Sequence, residues 1–332
     1  EVGTGPAGPC RSGPTTKPEP RRRGRWLENP VLRSTAALLA LLLPFACAAA
    51  EPGEEAAERA RSAGIELPAP APPRAADDAR GPFEHLIIRD VMLVDGEGSP
   101  PRGPVDLHIR GARIAAISRP TDEVPEGAEV LDGTGLYALP GFVDVHAHIG
   151  TPFQGLAGPL TPAEYVFKLW LGHGVTTVRE VGSTMGLAWT VAQAQRAARN
   201  EITAPRIVPY SMCPGSTVTD AEGAARWVQA VRRKGAVGVK LRGGTQAALE
   251  AVYAETGRLG MPTANHHDQT AVYQVNALDS ARLGLDSLEH WYGLPEALFT
   301  DRTVQDYPPG YNYADEQDRF AQAGRLWQQA AS

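Results

Sequence analysis

The residues best suited to chemistry are histidines that close short apolar runs. The clearest case is Leu139-Pro140-Gly141-Phe142-Val143-Asp144-Val145-His146-Ala147-His148, a Pro-Gly turn leading into an apolar stretch that ends in His-x-His. Residues two apart on a strand point to the same side, so both imidazoles would face one place. Two neutral imidazoles so placed suit chelation of a divalent ion, against the plainer alternative of two surface histidines. Three further runs repeat the theme. Gly235-Ala236-Val237-Gly238-Val239-Lys240-Leu241 sets a lysine in a buried strand, where an ammonium is costly unless it snorkels to the surface. Met261-Pro262-Thr263-Ala264-Asn265-His266-His267 and Asp286-Ser287-Leu288-Glu289-His290 both end in histidine. The three cysteines, Cys10, Cys47 and Cys213, are far apart and form no Cys-x-x-Cys pair. That argues against a disulfide framework and against a thiolate zinc site, and leaves Cys213 a spectator. A formal net charge of −6 gives no broad cationic face, so nucleic acid is not an expected partner.

These residues need a scaffold that brings strand ends together. Beyond Gly141 apolar strand candidates alternate with helical stretches, the rhythm of βαβ units around a parallel sheet. Strands are expected at Phe142–Val145, Val175–Val178, Arg206–Val208, Val237–Leu241, Pro262–Asn265 and Ser287–Leu288, with helices near 162–172, 187–199, 221–234, 245–259 and 270–283. The expected fold class is α/β, a TIM-like barrel with about six strands present, short of the eight that close one. In such barrels the C-terminal strand ends carry the active site, which is where the histidines fall. Residues 83–140 read as a small β-sandwich module, with turn chemistry at Asp95-Gly96, Pro100-Pro101 and Arg110-Gly111. Residues 141–332 read as the barrel, with an insertion over 294–332 that includes a helix candidate at Asp315–Ala330.

The N-terminal region has its own logic. Residues 1–25 are rich in Gly, Pro, Thr and Arg and are expected to be disordered. The basic run Arg21–Arg25, an apolar run from Thr35 to Ala46 and the small residues Cys47–Ala50 together make a secretory signal peptide. The apolar run before Pro44 falls short of the ~20 residues that span a bilayer. Cleavage after Ala48 or Ala50 is therefore expected, with export to the periplasm or beyond and no membrane association afterwards. A lipid anchor on Cys47 is the weaker alternative. The first methionine is Met92, so part of this segment reads as lying upstream of the true start. Residues 51–82, dominated by Ala, Pro, Glu and Arg, read as a flexible linker.

From about residue 85 to 332 the sequence resembles the amidohydrolase superfamily, most closely its imidazolonepropionase-like and prolidase-like branch. Leu131–Gly141 looks like that superfamily's passage from its β-sandwich into barrel strand 1, and Gly174-Val175-Thr176-Thr177-Val178-Arg179-Glu180 looks like its strand 2. The resemblance implies that His146 and His148 are the strand-1 metal ligands, His266 the strand-5 ligand and His290 the strand-6 ligand. Lys240 matches the strand-4 lysine, which in binuclear members is carboxylated and bridges two metals. His267 would face away as a neutral structural residue. The implied cofactor is one or two divalent ions, zinc first, with manganese, cobalt or iron as alternatives. The implied activity is hydrolysis of an amide, other C–N or ester bond in a small molecule. Deaminase, lactonase or isomerase chemistry and a non-catalytic metal-binding scaffold are the alternatives. Arg242 and Tyr292, just past two ligand strands, are expected substrate contacts. No catalytic residue is identified: Asp301, Asp306, Asp315 and Asp318 all lie in polar surroundings, so the superfamily's strand-8 aspartate has no counterpart, and the chain reads as ending after its sixth unit.

Overall fold

The computed structural model describes residues 68–150, 161–183, 185–213, 218, 220–299, 302–305 and 316–331. The chain divides into two units, Glu1–Ala48 and Ala49–Ser332, and all described residues lie in the second. The expected signal peptide lies outside them, as do Asp301, Asp306 and Asp315. Among the described residues no helix is long and apolar enough to cross a membrane.

The first sheet is built on β1 (His85–Leu93), which pairs antiparallel with β2 (Arg102–Arg110). β3 (Arg113–Ser118) adds to β2, while β4 (Glu129–Asp132) and β5 (Tyr137–Ala138) run parallel to β1. One face buries Val91, Leu93 and Leu107 against Ile88, Val105 and Ala138. The buried Asp106 carboxylate accepts backbone N–H bonds from Asp90 at 3.0 Å and Thr121 at 3.1 Å, tying β2 to β1 and to the loop after β3.

The second sheet follows the alternating rhythm. It runs β6 (Phe142–Ala147), α1 (Ala163–Gly172), β7 (Val175–Glu180), α2 (Leu187–Ala198), β8 (Arg206–Met212) and α3 (Ala221–Arg233). β9 (Gly238–Arg242), α4 (Gln246–Leu259), β10 (Thr263–His266), α5 (Ala277–Leu283) and β11 (Ser287–Glu289) complete it. The six strands are all parallel, in the order β6-β7-β8-β9-β10-β11. Sequential order with a helix after each strand curls the sheet into a nearly closed barrel. Side chains of the two edge strands touch, since the His146 ring on β6 bonds Glu289 on β11. Helices α3 and α4 cover β9 through Val228, Val231, Leu249 and Val252. Phe167 of α1 packs with Val178 of β7 and Ile207 of β8. Phe142, Val143 and Val145 stay exposed because β6 is an edge.

Helix starts follow cap chemistry. The Asp220 side chain accepts the Gly223 N–H at 2.7 Å and the Thr245 side chain accepts the Ala248 N–H at 3.3 Å. The helix expected over 270–283 begins only at Ala277. Asn276 and Asp279 form a reciprocal capping box there, and Gln269–Ala271 ahead of it is a single 3-10 turn.

The described part of the expected flexible linker, 68–82, is docked chain. Ala69 accepts the Ala163 N–H at 3.2 Å and Arg74 donates its N–H to the Glu201 carbonyl at 2.8 Å. Ala71 is buried among Ala163, Phe167 and Ile202. Asp78 bonds Lys168 at 2.7 Å and Thr203 at 3.0 Å. A Pro-rich stretch that composition marks as free thus finds partners on α1 and on the loop before β8.

At the far end α6 (Glu316–Ala331) buries Ala323 and Leu326, and Phe320 packs on Trp291 at 4.8 Å between ring centroids.

Candidate metal centre

The sheet registers place the candidate side chains. In a parallel sheet, residues paired across strands point to the same face. Arg242, His266 and Glu289 form one row across β9, β10 and β11, and Lys240, Ala264 and Ser287 form the row below. Lys240 is 3% exposed, so it is no snorkelling surface lysine. Burial brings its pKa down to about 8; the Glu289 carboxylate opposes this, and the Arg179 and Arg242 charges add to it.

The four histidines expected as ligands form a continuous chain of rings. The His148 and His146 centroids are 5.1 Å apart, those of His146 and His290 4.8 Å, and those of His290 and His266 4.7 Å. His266 is buried and held near pKa 3, by burial first and then by the charges of His290, Lys240 and Arg242. His267 faces the helix layer, bonds Ser280 Oγ at 2.7 Å and is kept neutral by burial, with a pKa of about 4.

The order of Glu289 and His290 poses a geometric problem. Neighbours on a strand point to opposite faces, yet the Glu289 carboxylate bonds the His146 ring and the His290 ring lies against it too. The solution is the backbone at His290, which has φ 63°, in the left-handed region that side-chain-bearing residues rarely adopt. That turn brings both side chains to one site.

The strand-1 pair tests whether a cation fits. His148 Nδ1 lies 3.1 Å from the Gly182 carbonyl, which can only accept, so Nδ1 donates, and a neutral ring then carries its lone pair on Nε2. His146 Nδ1 bonds the Glu289 carboxylate. Burial pushes Glu289 up, but hydrogen bonds from His146 and Ser287 and the charges of Lys240 and Arg179 outweigh it and set its pKa at about 2. An ionised carboxylate likewise only accepts, so a neutral His146 ring also carries its lone pair on Nε2. The two Nε2 atoms face each other at 3.2 Å. Two nitrogens each ~2.1 Å from one ion at a near-tetrahedral angle would be roughly 3.4 Å apart. Two opposed lone pairs are a poor arrangement alone and a good one around a cation. Beyond this pair, no group of three or more His, Cys, Asp or Glu among the described residues is already gathered as a metal cage. His266, His290 and Lys240 line the same space without closing on a common point.

Three charged residues that the motif reading passed over are integral to the site. Arg179, on β7, donates to the Val145 carbonyl, to Ser287 Oγ at 3.1 Å and to Glu289 Oε1, and its guanidinium lies 5.3 Å from the Tyr210 ring centroid. Glu180, fully buried, accepts the Gly182 N–H at 2.8 Å and so holds the carbonyl that bonds His148. Burial pushes its pKa up. Glu289 is the third, at 4% exposure. Their signal was the one that exposed Lys240, a charge at the end of an apolar strand.

The two expected substrate contacts part company. Arg242 is exposed at the end of β9, where it borders a cavity of about 210 Å³ with Gly243, Gly244 and Thr245. Tyr292 is 1% exposed, with its ring 5.1 Å from that of His266 and 5.7 Å from that of His290. It backs the histidines as packing and presents no open surface to a substrate, which corrects the expectation.

Fold and site together define a parallel α/β barrel with a histidine-lined mouth. The comparisons with known proteins agree. Over 175 residues the chain is 33% identical to an adenine deaminase of Rhizobium etli, a match covering 50% of this chain and 27% of the relative. It is 43% identical over 67 residues to a dihydroorotase of Thermus aquaticus, covering 20% of this chain and 14% of the relative. A D-hydantoinase of Geobacillus stearothermophilus is 50% identical over 50 residues, or 15% and 10% of the two chains. The chain thus spans about a quarter or less of these relatives' lengths. No family profile matches it. Among solved structures, a prolidase in complex with N-methylphosphonate-L-proline aligns with TM-score 0.50 and 17% identity, over 62% of this chain and 60% of that one. A Xaa-Pro dipeptidase with bound methionine aligns with TM-score 0.50 and 20% identity, over 62% and 61%. At such identity the structures speak for the fold. The named relatives and the shared barrel all point to the amidohydrolase superfamily.

Proposed function

We propose that the chain is the metal-binding part of a hydrolase that cleaves a carbon–nitrogen bond in a small molecule. The observation that carries this is the pair of Nε2 lone pairs of His146 and His148, 3.2 Å apart, each fixed by an acceptor on Nδ1. The deaminase, dihydroorotase and hydantoinase relatives support the bond type. His146 and His148 would hold the first ion, with His266, His290 and Lys240 available to a second. Nitrogen and oxygen donors fit zinc first. Such an ion supplies Lewis-acid polarisation of the scissile group and an acidified water. The protein's own residues supply the rest. Tyr292 backs the His266 and His290 rings, and Arg242 stands at the mouth as a cation for an anionic substrate group. Lys240, with its pKa near 8, reaches the neutral amine that carboxylation needs. The ammonium loses one proton to give that amine, and the amine nitrogen adds to carbon dioxide and loses a second, so a cation becomes an anionic carbamate. Export through the leader at residues 21–50 belongs to the same reading.

The test is metal analysis of the full-length protein, followed by a hydrolysis screen over dipeptides, N-acyl amino acids, hydantoins and lactones. Stoichiometric zinc, manganese, cobalt or iron, together with chelator-sensitive turnover of a C–N substrate, is the expected result. A protein that purifies without metal and cannot be loaded would end the reading. Intact mass adds two checks: carbon dioxide on Lys240, and a mature N-terminus after Ala48 or Ala50.

A further inference from the structure

We propose that Glu289 is a positioning residue, which holds the His146 proton on Nδ1 and so presents the Nε2 lone pair, while Arg179 decides which carboxylate oxygen does this. The proposal rests on the metal-centre reading only for its effect on affinity; the proton's location stands on geometry alone.

The two oxygens of Glu289 have separate duties. Oε1 accepts from the Ser287 hydroxyl at 2.7 Å and from Arg179 Nη2. Oε2 is left to His146 Nδ1. Arg179 is itself anchored to the Val145 carbonyl one residue before His146, so its guanidinium links β6, β7 and β11. The carboxylate is buried, so water does not compete for either oxygen. Second-sphere carboxylates of this kind fix imidazole tautomers, and their loss typically costs ~10–100-fold in metal affinity.

The division of duties makes a sharp prediction for the isosteric variant Glu289→Gln. An amide has one accepting end and one donating end. Arg179 and Ser287 both donate to the Oε1 position, so the amide oxygen stays there and the NH2 group faces His146. Nδ1 must then accept, and its proton moves to Nε2. That N–H points at the free His148 Nε2 lone pair 3.2 Å away and forms an N–H···N bond where an ion would sit. Adding Arg179→Met removes the strongest demand on the oxygen. The amide can then turn, offer its oxygen to His146 and restore the proton to Nδ1.

The experiment is ¹⁵N NMR of the ring nitrogens in full-length, metal-free protein, beside zinc and cobalt titrations of the same samples. His146 Nδ1 is expected to be protonated in the wild type, unprotonated in Glu289→Gln and protonated again in the double variant. Metal affinity should fall about 10–100-fold in the single variant and recover in part in the double. A purely structural role for Glu289 would move stability and leave the proton where it is. Nδ1 still protonated in Glu289→Gln overturns the proposal, even if metal binding is weaker. Should Glu289→Gln fail to fold, the wild-type spectrum decides, because an unprotonated His146 Nδ1 there refutes the proposal by itself. A proton that moves as expected in a protein that takes up no metal upholds the positioning and sinks the metal-centre reading instead.

Discussion

Gly238 opens β9 two residues before Lys240, and it is the point at which a single methyl group should damage fold and site together. A Cβ there would lie 2.4 Å from Tyr210 Cζ and 2.6 Å from the Pro262 carbonyl oxygen. Neither contact is tolerable, and one of them is backbone. Its φ lies outside the left-handed region, so the cost is packing alone. The strand has little room to move: Gly238 pairs with Tyr210 of β8, and Val239 pairs with Thr263 of β10. Tyr210 is buried with Arg179 over its ring, so it cannot swing aside without disturbing the Glu289 network. Overpacking costs typically ~1–3 kcal/mol, and two clashes of this kind place Gly238→Ala near about 3 kcal/mol. In a fold of this size each kcal/mol lowers Tm by roughly 2–4 °C, giving a drop of about 6–12 °C. Circular-dichroism melts, with and without metal, measure it. Gly257→Ala is the matched control, since it lies in α4 with nothing within 4 Å of the added Cβ. There the same methyl group should stabilise by about 0.5–1 kcal/mol through helix propensity. A Gly238→Ala melt that overlays the wild type would refute the packing argument, and equal shifts in the two variants would refute the claim that site geometry sets the sign.

His148→Ala removes half of the Nε2 pair, so calorimetric titration should show zinc affinity falling by more than the roughly 10–100-fold typical of an outer-sphere partner. The rise in Tm that metal confers on the wild type should vanish in that variant. Asn276→Ala breaks the capping box of α5 and should cost about 1 kcal/mol by urea melts; an unchanged midpoint would mean that tertiary packing alone fixes the start of that helix. Asp78→Ala cuts the ties to Lys168 and Thr203, and hydrogen exchange over residues 69–83 should speed up while the barrel strands keep their protection.

Much of the barrel could be read from the sequence because short strand candidates alternate with helical stretches in the rhythm of βαβ units. Val175–Val178 and Ser287–Leu288 were placed on that ground, and the structure extends them to Val175–Glu180 and Ser287–Glu289. The residues the reading left out are Arg179 and Glu180 at the end of β7 and Glu289 at the end of β11, all charged and all in contact with the site. The docking of 68–82 was invisible for another reason. Two of its ties are backbone hydrogen bonds, from Arg74 to Glu201 and from Ala163 to Ala69, and composition does not encode where a backbone group finds its partner.

Glu289 shows where local reading stops. It stands next to a histidine that the pattern picked out, but strand alternation assigns neighbours to opposite faces, so choosing His290 as inward implies that Glu289 faces outward. The positive φ at His290 removes that either-or, and nothing in Ser287-Leu288-Glu289-His290-Trp291 announces it. The partners that make Glu289 meaningful are distant as well: Arg179 lies 110 residues away and His146 lies 143. A buried carboxylate without them would be costly, and with them it is held ionised at a pKa near 2. Its ionisation is therefore a property of the curled sheet that brings β6, β7 and β11 together. The His-x-His motif supplies two imidazoles on one face. The acceptors that would leave both Nε2 atoms to an ion are Glu289 on one ring and the Gly182 carbonyl, held by Glu180, on the other.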